Sequence, residues 1–316
     1  MFVGIDVSKE TIDLAYLEAN NQWKSIKINN KVEDFRKFIK TIPTDAHCVM
    51  EATGPYYLSL ACFLYENKFK VSVVNPLIIK RYSQMKMRRT KTDKADAKII
   101  AEYAREQTPE LWKPTDKVIA QIQQINSALE KLTQQRSAWK NKDEAQDKNP
   151  NGDDFTQKII DETLDFYDTK IKEIETKLDE IIKNNFSEMN AIIRSIPGIG
   201  AKTATTLIVI TGGFEKFENY KQLISYVGLA PRIYQSGTSV KGKSHICKMG
   251  MKRIRQLLYM CSLTAKESNF ACKQLFERLV EKGKSKKLAI IAVANKLLKQ
   301  AFTIVKKNEL YNPLFT

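Results

Sequence analysis

Short runs in which apolar and polar residues alternate open the chain. Residues 2–8, 11–18 and 23–29 follow this pattern and are joined by tight polar connections. Alternation with a period of two predicts β-strands, and the short connections predict an antiparallel meander. Two further apolar runs, at 47–53 and 71–76, predict a fourth and a fifth strand, the last ended by its terminal proline.

Helical periodicity separates and follows these later strands. The segments 32–42 and 55–68 carry apolar residues at helical spacing, and Pro55 suits the first turn of a helix. A third helical segment, 97–107, follows the fifth strand. The order of three strands, helix, strand, helix, strand and helix predicts a mixed α/β sheet flanked by helices, which we assign to a first domain at residues 1–112.

The middle of the chain has a different pattern, in which apolar residues recur at alternating intervals of four and three. Two such series span 118–139 and 160–181, each about three heptads long. The polar segment between them, 141–154, contains a proline and a glycine and is expected not to continue either helix. We therefore predict a long antiparallel helical hairpin or coiled coil, which forms a second domain at residues 113–187.

The remainder of the chain, residues 188–316, is dominated by helical patterns. Residues 231–250 interrupt them with a stretch rich in glycine, serine and lysine, which predicts loops and turns. We expect a third domain here that is mostly α-helical.

The chain of 316 residues has a net charge of +16, and the excess is concentrated near its end. Residues 231–316 hold 18 Lys and Arg against 4 Asp and Glu, whereas residues 1–230 hold 34 against 32. A local basic excess of this size favours a surface that binds a polyanion such as DNA or RNA. The alternative is a basic domain with no nucleic-acid partner.

Other features of the composition narrow the class of protein. No apolar run approaches the ~18 residues of a membrane span, and the first residues lack a basic-then-apolar export signal. The five cysteines are scattered and never spaced as CxxC, which favours reduced cytosolic thiols over disulfides or a zinc site. We expect a cytoplasmic protein of the bacterial type, associated with the nucleoid and without a membrane partner.

Four carboxylates occupy positions that a structural role explains poorly. Asp6 lies within an apolar strand and Glu51 ends another, where a carboxylate is costly unless it is exposed, paired or bound to metal. Asp93 and Asp96 stand at a helix start with a spacing that places them on one face, although Asp93 alone is also explained as a helix cap. If the first and fourth strands are neighbours, the four carboxylates converge and can hold a hard cation such as Mg²⁺ or Mn²⁺. The basic residues beside them, which would follow a nucleic-acid backbone, include Arg88, Arg89 and Lys91.

Short motifs occur in a fixed order along most of the chain: GID, EATG, TDKADA, SIPGIG and YQSGTSVKGKSHICKMG. Together they resemble the DEDD transposases of insertion-sequence family one-ten, whose members are similar to the site-specific invertases of pilin genes. The resemblance implies a ribonuclease-H-like, Holliday-junction-resolvase-like first domain in which Asp6, Glu51, Asp93 and Asp96 bind the metal. It also implies a DNA recombinase that cuts and rejoins the strands of a mobile element.

The segment 196–204, IPGIGAKTA, has the pattern of a helix-hairpin-helix turn. Gly198 and Gly200 permit a tight turn whose backbone N–H groups face a phosphate, and Lys202 adds a positive charge. Such a turn positions duplex DNA without reading its sequence. The alternative is an ordinary connection between two helices.

The loop at 231–250 offers hydroxyl groups at Ser236, Thr238, Ser239 and Ser244. Composition indicates only a polar loop, because a Ser-Gly pair usually forms a turn. The family resemblance implies that Ser236, in the Y-x-S-G element, is the nucleophile that forms a covalent link to a DNA phosphate. The lysines that would neutralise the phosphates around it are Lys241, Lys243 and Lys248.

The resemblance also implies partners, namely the double-stranded DNA of the element ends and target, and a structured guide RNA that pairs with both. The two helical seams predict self-association, as a dimer alone and a tetramer on DNA. Two other classes of function stay open. A structure-specific Mg²⁺-dependent endonuclease, similar to a junction resolvase, would use the same carboxylates without Ser236, and a non-catalytic nucleic-acid-binding protein would need neither.

Overall fold

The chain divides into two compact units, Met1–Pro114 and Thr115–Thr316, which are called here the N-terminal and C-terminal units. The further division of residues beyond 112 into a hairpin domain and a C-terminal domain stays a prediction. The computed structural model describes residues 1–87, 92–232, 235–236, 240–241, 245–247 and 249–313.

A mixed five-stranded sheet forms the centre of the N-terminal unit. Its strands are β1 Phe2–Val7, β2 Thr11–Leu17, β3 Trp23–Asn29, β4 His47–Glu51 and β5 Lys70–Val74. They lie in the order β3-β2-β1-β4-β5, with β1, β2 and β3 antiparallel and β1, β4 and β5 parallel. The predicted mixed sheet is confirmed, and the first and fourth strands are neighbours.

Helices cover both faces of this sheet, in keeping with the nearly continuous burial of residues along its central strands β1 and β4. The helices are α1 Val32–Phe38, followed by a 3₁₀ turn Ile39–Thr41, α2 Tyr57–Glu66, α3 Pro76–Met85 and α4 Asp93–Gln107. Phe35 of α1 and Leu64 of α2 pack with Ile5 on one face. Residues Ile79 of α3 and Ile100 of α4 pack with Val49 on the other, which is called here the α4 face.

Helix α4 lies very close to β1 because the residue beneath it is glycine. A Cβ atom on Gly4 would lie 2.1 Å from the carbonyl oxygen of Ala97 and 2.3 Å from the amide nitrogen of Ala101. Both distances are far inside van der Waals contact, so any side chain at this position would push the helix away from the sheet. Gly4 therefore sets the height of α4 above β1.

Helix α3 is absent from the predicted order of elements. Pro76 was predicted to end the fifth strand, and it does follow β5, but it also occupies the first turn of α3. Proline is favoured there because its missing N–H has no partner in the first helical turn anyway. The side chain of Asn75 caps the helix by accepting a hydrogen bond from the Leu77 N–H over 2.9 Å. Pro76 thus follows the end of β5 and also begins α3.

The C-terminal unit begins with two long helices, α5 Lys117–Gln146 and α6 Asp154–Asn185. They run antiparallel, since Asp143 accepts a hydrogen bond from Gln157 near the tip while Arg136 donates to Asp168 further along. The predicted break over 141–154 is wrong in its extent, because α5 continues to Gln146. Residues 141–146 contain no glycine or proline, so nothing local stops the helix before the loop.

Helices also make up most of the rest of this unit, as predicted. They are α7 Ser187–Arg194, α8 Ala201–Thr211, α9 Tyr220–Val227, α10 Lys252–Ser268, α11 Phe270–Glu281 and α12 Lys286–Lys307. Helix α12 is long and apolar enough to cross a membrane by composition alone. Its apolar side chains, including Val293, Leu297 and Ala301, are buried in the core of the unit instead.

The segment predicted as loop, 231–250, contains short antiparallel strand pairs. The strands are β6 Pro231–Arg232, β7 Gln235–Ser236, β8 Val240–Lys241 and β9 His245–Ile246. β6 pairs with β9, and β7 pairs with β8. The segment is called here the serine loop.

Candidate functional site

A row of charged side chains crosses the sheet at one end of the α4 face. Asp6 of β1 pairs with Asp13 of β2, which in turn pairs with Lys27 of β3. On the other side of Asp6, Glu51 continues the parallel register of β1 and β4 by one residue. Directly paired residues of neighbouring strands lie on the same face of a sheet. The register therefore places these four side chains next to one another.

The start of helix α4 carries the other two predicted carboxylates. The helix packs against β1 and β2, and Asp93 and Asp96 lie in its first turn. Its cap is Thr92, whose hydroxyl oxygen accepts a hydrogen bond from the Ala95 N–H over 3.2 Å. The explanation of Asp93 as the helix cap is therefore excluded, and its carboxylate is left for other partners.

The electrostatics of Asp6 show that these carboxylates influence one another. Burial, followed by repulsion from Asp96, Asp93, Glu51 and Asp13, raises the pKa of Asp6 from 3.8 to about 6. Burial removes water from the carboxylate, and like charges nearby disfavour its ionisation further. The fold thus holds Asp6 where a carboxylate is unfavourable unless a cation accompanies it.

These donors suit a hard divalent cation, because all of them are carboxylate oxygens. Their arrangement is open, however: among the described residues, no group of three or more His, Cys, Asp or Glu side chains lies close enough together to hold a metal ion. Thr53 Oγ1 donates to Glu51 Oε1 over 2.9 Å, so this carboxylate already has one partner. Convergence of the four carboxylates on one ion stays a prediction.

Asp13 and Lys27 belong to the same site but were not recognised in the sequence. Lys27 Nζ lies 3.2 Å from Asp13 Oδ2 and 4.0 Å from Asp93 Oδ2, so one ammonium contacts both β2 and the start of α4. Side chains alternate between the two faces of a sheet along each strand. Once the strand register is known, this alternation places Asp13 and Lys27 on the face that α4 covers. Without the register, charged residues on a strand are ordinarily explained by exposure to solvent.

The predicted basic residues near this site are only partly accounted for. Arg88, Arg89 and Lys91 lie outside the described residues, so their role in binding nucleic acid stays a prediction. Lys86, just before them, pairs with Glu106 Oε1 at 2.6 Å and lies 5.3 Å from the centre of the Tyr82 ring. Its charge is therefore engaged within the N-terminal unit.

The two glycines of the turn between α7 and α8 have different surroundings. Gly198 has a φ of +99°, and a Cβ atom there would lie 2.6 Å from the Cβ atom of Ala265 in α10. Gly200 precedes α8, has an ordinary negative φ, and meets nothing within 4 Å of an added Cβ atom. The side chain of Lys202 forms an ion pair with Glu175 of α6. Packing thus accounts for Gly198, while Gly200 leaves open space at the start of α8.

Ser236 is the last residue of β7, and its backbone pairs with that of Val240 in β8. Lys241 is the residue that follows Val240 in the same strand. The side chains of these strands, and Lys243 and Lys248 entirely, lie outside the described part of the chain. The predicted role of Ser236 and of the three lysines therefore stays a prediction.

Two further glycines hold the ends of the serine loop together. A Cβ atom on Gly228 would lie 2.3 Å from the carbonyl oxygen of Met249, and one on Gly250 would lie 2.2 Å from that of Tyr226. Nearby, Arg255 Nη1 donates a hydrogen bond to the Val227 carbonyl oxygen over 2.9 Å. The base of the loop is thus closed by direct contact of backbone on backbone.

Comparison with known proteins assigns these features to one family. A model of DEDD transposases of the IS110 type matches residues 3–146, and a model described as transposases of the IS116/IS110/IS902 family matches residues 190–277. The pilin gene-inverting protein of Moraxella bovis is 32% identical over 97% of this chain and 96% of its own length. The chain belongs to the IS110 family of transposases. The transposase of insertion element IS1111A from Coxiella burnetii is more distant, at 24% identity over 98% of this chain and 90% of its own length.

The two IS110-family matches divide between the two halves of the candidate machinery. The first spans Asp6, Glu51, Asp93 and Asp96, and the second spans the glycine turn and Ser236. The resemblance noted from the motifs is therefore confirmed. The family's DEDD description suggests use of a divalent metal.

Proposed function

We propose that the protein is the DNA transposase of a mobile insertion sequence, which cuts and rejoins DNA through a serine nucleophile and a carboxylate-bound divalent metal. The observation that supports the metal half is the placement of Asp6, a part-buried carboxylate, beside Glu51 on the neighbouring strand and near the start of α4, where these like charges raise its pKa. Such an arrangement is unfavourable by itself and becomes favourable with a cation. Asp6, Glu51, Asp93 and Asp96 would hold Mg²⁺ or Mn²⁺ through their oxygens.

The metal, when bound, would stabilise negative charge on the phosphate that reacts. The protein's own contribution is to fix the donors. Asp6 and Glu51 stand on adjacent parallel strands, and Thr92 caps the helix that presents Asp93 and Asp96. Rigid strands and a capped helix start hold ligands more accurately than loops do.

Ser236 is proposed as the nucleophile. Its oxygen would form an ester with the phosphorus atom of a DNA phosphodiester, while the bond from phosphorus to one deoxyribose oxygen breaks and that oxygen takes up a proton. The ester conserves the energy of the broken bond, so a different strand end can reverse the reaction and be joined. Lys241, Lys243 and Lys248 would neutralise the phosphates near it.

The proposed partners are double-stranded DNA at the element ends and target, and a guide RNA. The relatives from Moraxella are named for inverting a pilin gene and the relative from Coxiella for transposing an insertion element, and both names describe rearrangement of DNA. The strongly basic stretch 231–316 suits binding of nucleic-acid backbones. Gly200 and the start of α8 would take a DNA phosphate, and Arg88, Arg89 and Lys91 would follow the backbone near the carboxylates. The setting is a bacterial cytoplasm, with the protein on the nucleoid.

A structure-specific endonuclease is the second candidate, and the carboxylate cluster favours it as much as it favours the transposase. Such an enzyme would hydrolyse the phosphodiester with water and leave free ends. Only a covalent intermediate separates the two functions.

The deciding experiment looks for that intermediate. The protein is incubated with its guide RNA and end-labelled target DNA in Mg²⁺, denatured, and separated by gel. Wild type is expected to give label that migrates with protein, and Ser236→Ala to give neither adduct nor recombinant while still binding DNA. Ser239→Ala is the matched control, because it removes a hydroxyl from the same loop, and it should retain the adduct. Normal cleavage with free ends by Ser236→Ala would establish the endonuclease instead.

A further inference from the structure

Lys27 places a positive charge against Asp93, one of the four carboxylates proposed to bind metal. Its ammonium nitrogen lies 3.2 Å from Asp13 Oδ2 and 4.0 Å from Asp93 Oδ2. Asp13 is the better buried partner, with 14% of its side chain exposed against 68% for Asp93. Lys27 is thus anchored on the sheet by Asp13 and reaches from there to the start of α4.

A second lysine of the same strand shows what an ordinary surface pair looks like. Lys24 lies three residues earlier on β3, so its side chain points to the opposite face, and it pairs with Glu18 at 3.5 Å. Its exposure, 49%, is close to the 55% of Lys27. The two lysines therefore differ in the carboxylates they face, and not in strand or accessibility.

We propose that Lys27 is a built-in cation of the carboxylate site, which a divalent metal must displace from Asp93 in order to bind. Lys27 then sets how tightly the site takes metal and selects doubly charged ions over monovalent ones. This inference rests on the proposed metal-binding function of Asp6, Glu51, Asp93 and Asp96.

Tethering makes the lysine an effective competitor. Because the ammonium of Lys27 is attached to a strand of the same sheet, its effective concentration near Asp93 is high. Free Na⁺ or K⁺ carries the same charge and would displace it only at a higher concentration. A divalent ion gains about twice the Coulomb energy from each carboxylate and can win the exchange. Asp13 keeps the displaced ammonium near the site, since its own contact with Lys27 does not involve α4.

The test measures metal binding directly, on the full chain without nucleic acid. Mn²⁺ is titrated into the protein, and the free ion is counted by its electron paramagnetic resonance signal. Lys27→Met is expected to bind Mn²⁺ about three- to tenfold more tightly than wild type, because a partly exposed like charge has been removed. Lys24→Met should match wild type. Lys27→Arg, which retains the charge, should stay close to wild type as well.

A further pair of variants tests the anchor. In an Asp13→Asn variant, Lys27 has lost the carboxylate that holds it near Asp93. Adding Lys27→Met to this variant should therefore change the Mn²⁺ affinity by less than about half the factor that Lys27→Met causes in the wild type, as expected for coupled residues. Thermal unfolding of each variant, measured alongside, confirms that the chain is folded.

The outcomes separate this inference from the function on which it rests. If wild type and Asp93→Asn both fail to bind Mn²⁺, the proposed metal site is wrong and the inference falls with it. If wild type binds Mn²⁺ but Lys27→Met binds it no more tightly than Lys24→Met, the metal site stands and the role of Lys27 is refuted. If Lys27→Met changes the Mn²⁺ affinity equally in the wild type and in Asp13→Asn, the proposal that Asp13 anchors Lys27 as a competitor of the metal is likewise refuted.

Discussion

At the scale of single residues, the raised pKa of Asp6 has a consequence that can be measured as a dependence of stability on pH. This pKa is raised to about 6 by burial and by the carboxylates around Asp6. The folded state therefore binds a proton that the unfolded state has already lost between pH 3.8 and about 6. Over that interval the contribution of Asp6 to stability falls as the pH rises, and above about pH 6 the ionised group is a constant cost.

Replacement of Asp6 by asparagine should remove this cost. In metal-free buffer at pH 7 we expect Asp6→Asn to raise the free energy of unfolding of the N-terminal unit by about 1 kcal/mol, after allowance for solvent screening. The difference should vanish as the pH is lowered towards 4. Calorimetry across this range is the measurement, and Asp45→Asn, an exposed aspartate before the opposite end of β4, is the control. If the wild type is as stable as Asp6→Asn at pH 7, the ionised carboxylate of Asp6 does not destabilise the folded state.

Single residues could be singled out in the sequence where they contradicted their local pattern, and their role in binding metal stays a prediction. Asp6 and Glu51 were identified because carboxylates are unexpected at the ends of apolar strands. Lys27 did not stand out, because β3 is an edge strand on which every residue is at least partly exposed. Asp13 interrupts the apolar strand β2 much as Asp6 interrupts β1, but it was not singled out from the sequence. Their importance depends on register across three strands, which the alternation of one strand does not contain.

At the scale of elements, the turn between α7 and α8 contains one glycine that packing requires, Gly198, and one that we expect to contact DNA, Gly200. Gly198→Ala should destabilise the C-terminal unit by about 1–3 kcal/mol, because a positive φ and a collision with Ala265 are both forced on the new methyl group. Gly200→Ala should cost no more than about 0.5 kcal/mol, since its φ is ordinary and the space is open.

Chemical denaturation of the two variants measures this difference. Binding of a DNA duplex should respond in the opposite order, because a methyl group on Gly200 would stand at the start of α8 where the phosphate is expected. Equal losses of stability in both variants would mean that the turn is set by Gly200 as well.

Prediction of elements failed where one signal had two meanings. A proline after an apolar run ends a strand, but the same proline with Asn75 before it begins α3. In the hairpin, polar residues before Pro150 were expected to be loop, although Lys, Glu, Ala and Gln are good helix formers. The long periodic seams of α5 and α6, in contrast, could be predicted because many residues share one pattern.

At the scale of the whole molecule, the outer side of α6 suggests how chains associate. Phe155, Ile159 and Phe166 are 70%, 40% and 55% exposed and fall on one side of the helix. Exposed aromatic residues in line are unusual on a chain that functions alone. We therefore expect at least a dimer in solution and a tetramer on DNA.

Light scattering coupled to gel filtration checks this expectation. Phe155→Glu with Phe166→Glu should lower the mass towards that of one chain, whereas Lys172→Glu, on another side of the same helix, should leave it unchanged. A single-chain mass for wild type, both alone and with RNA and DNA, would contradict the expected assembly. The charge along the chain predicted a nucleic-acid partner. Self-association depends instead on which apolar residues of α6 are left exposed beside α5, and these are known only once the two helices are paired.

The glycine beneath α4 bears on how this chain and its relatives change over evolutionary time. The short distance between helix α4 and the sheet requires glycine at position 4, whereas the proposed metal-binding chemistry requires aspartate at position 6. The short motif GID therefore joins two constraints that selection can relax separately. A descendant that lost its activity but still folded would be free to replace the aspartate and would keep the glycine. Glycine retained without aspartate would mark an inherited fold whose catalysis has decayed.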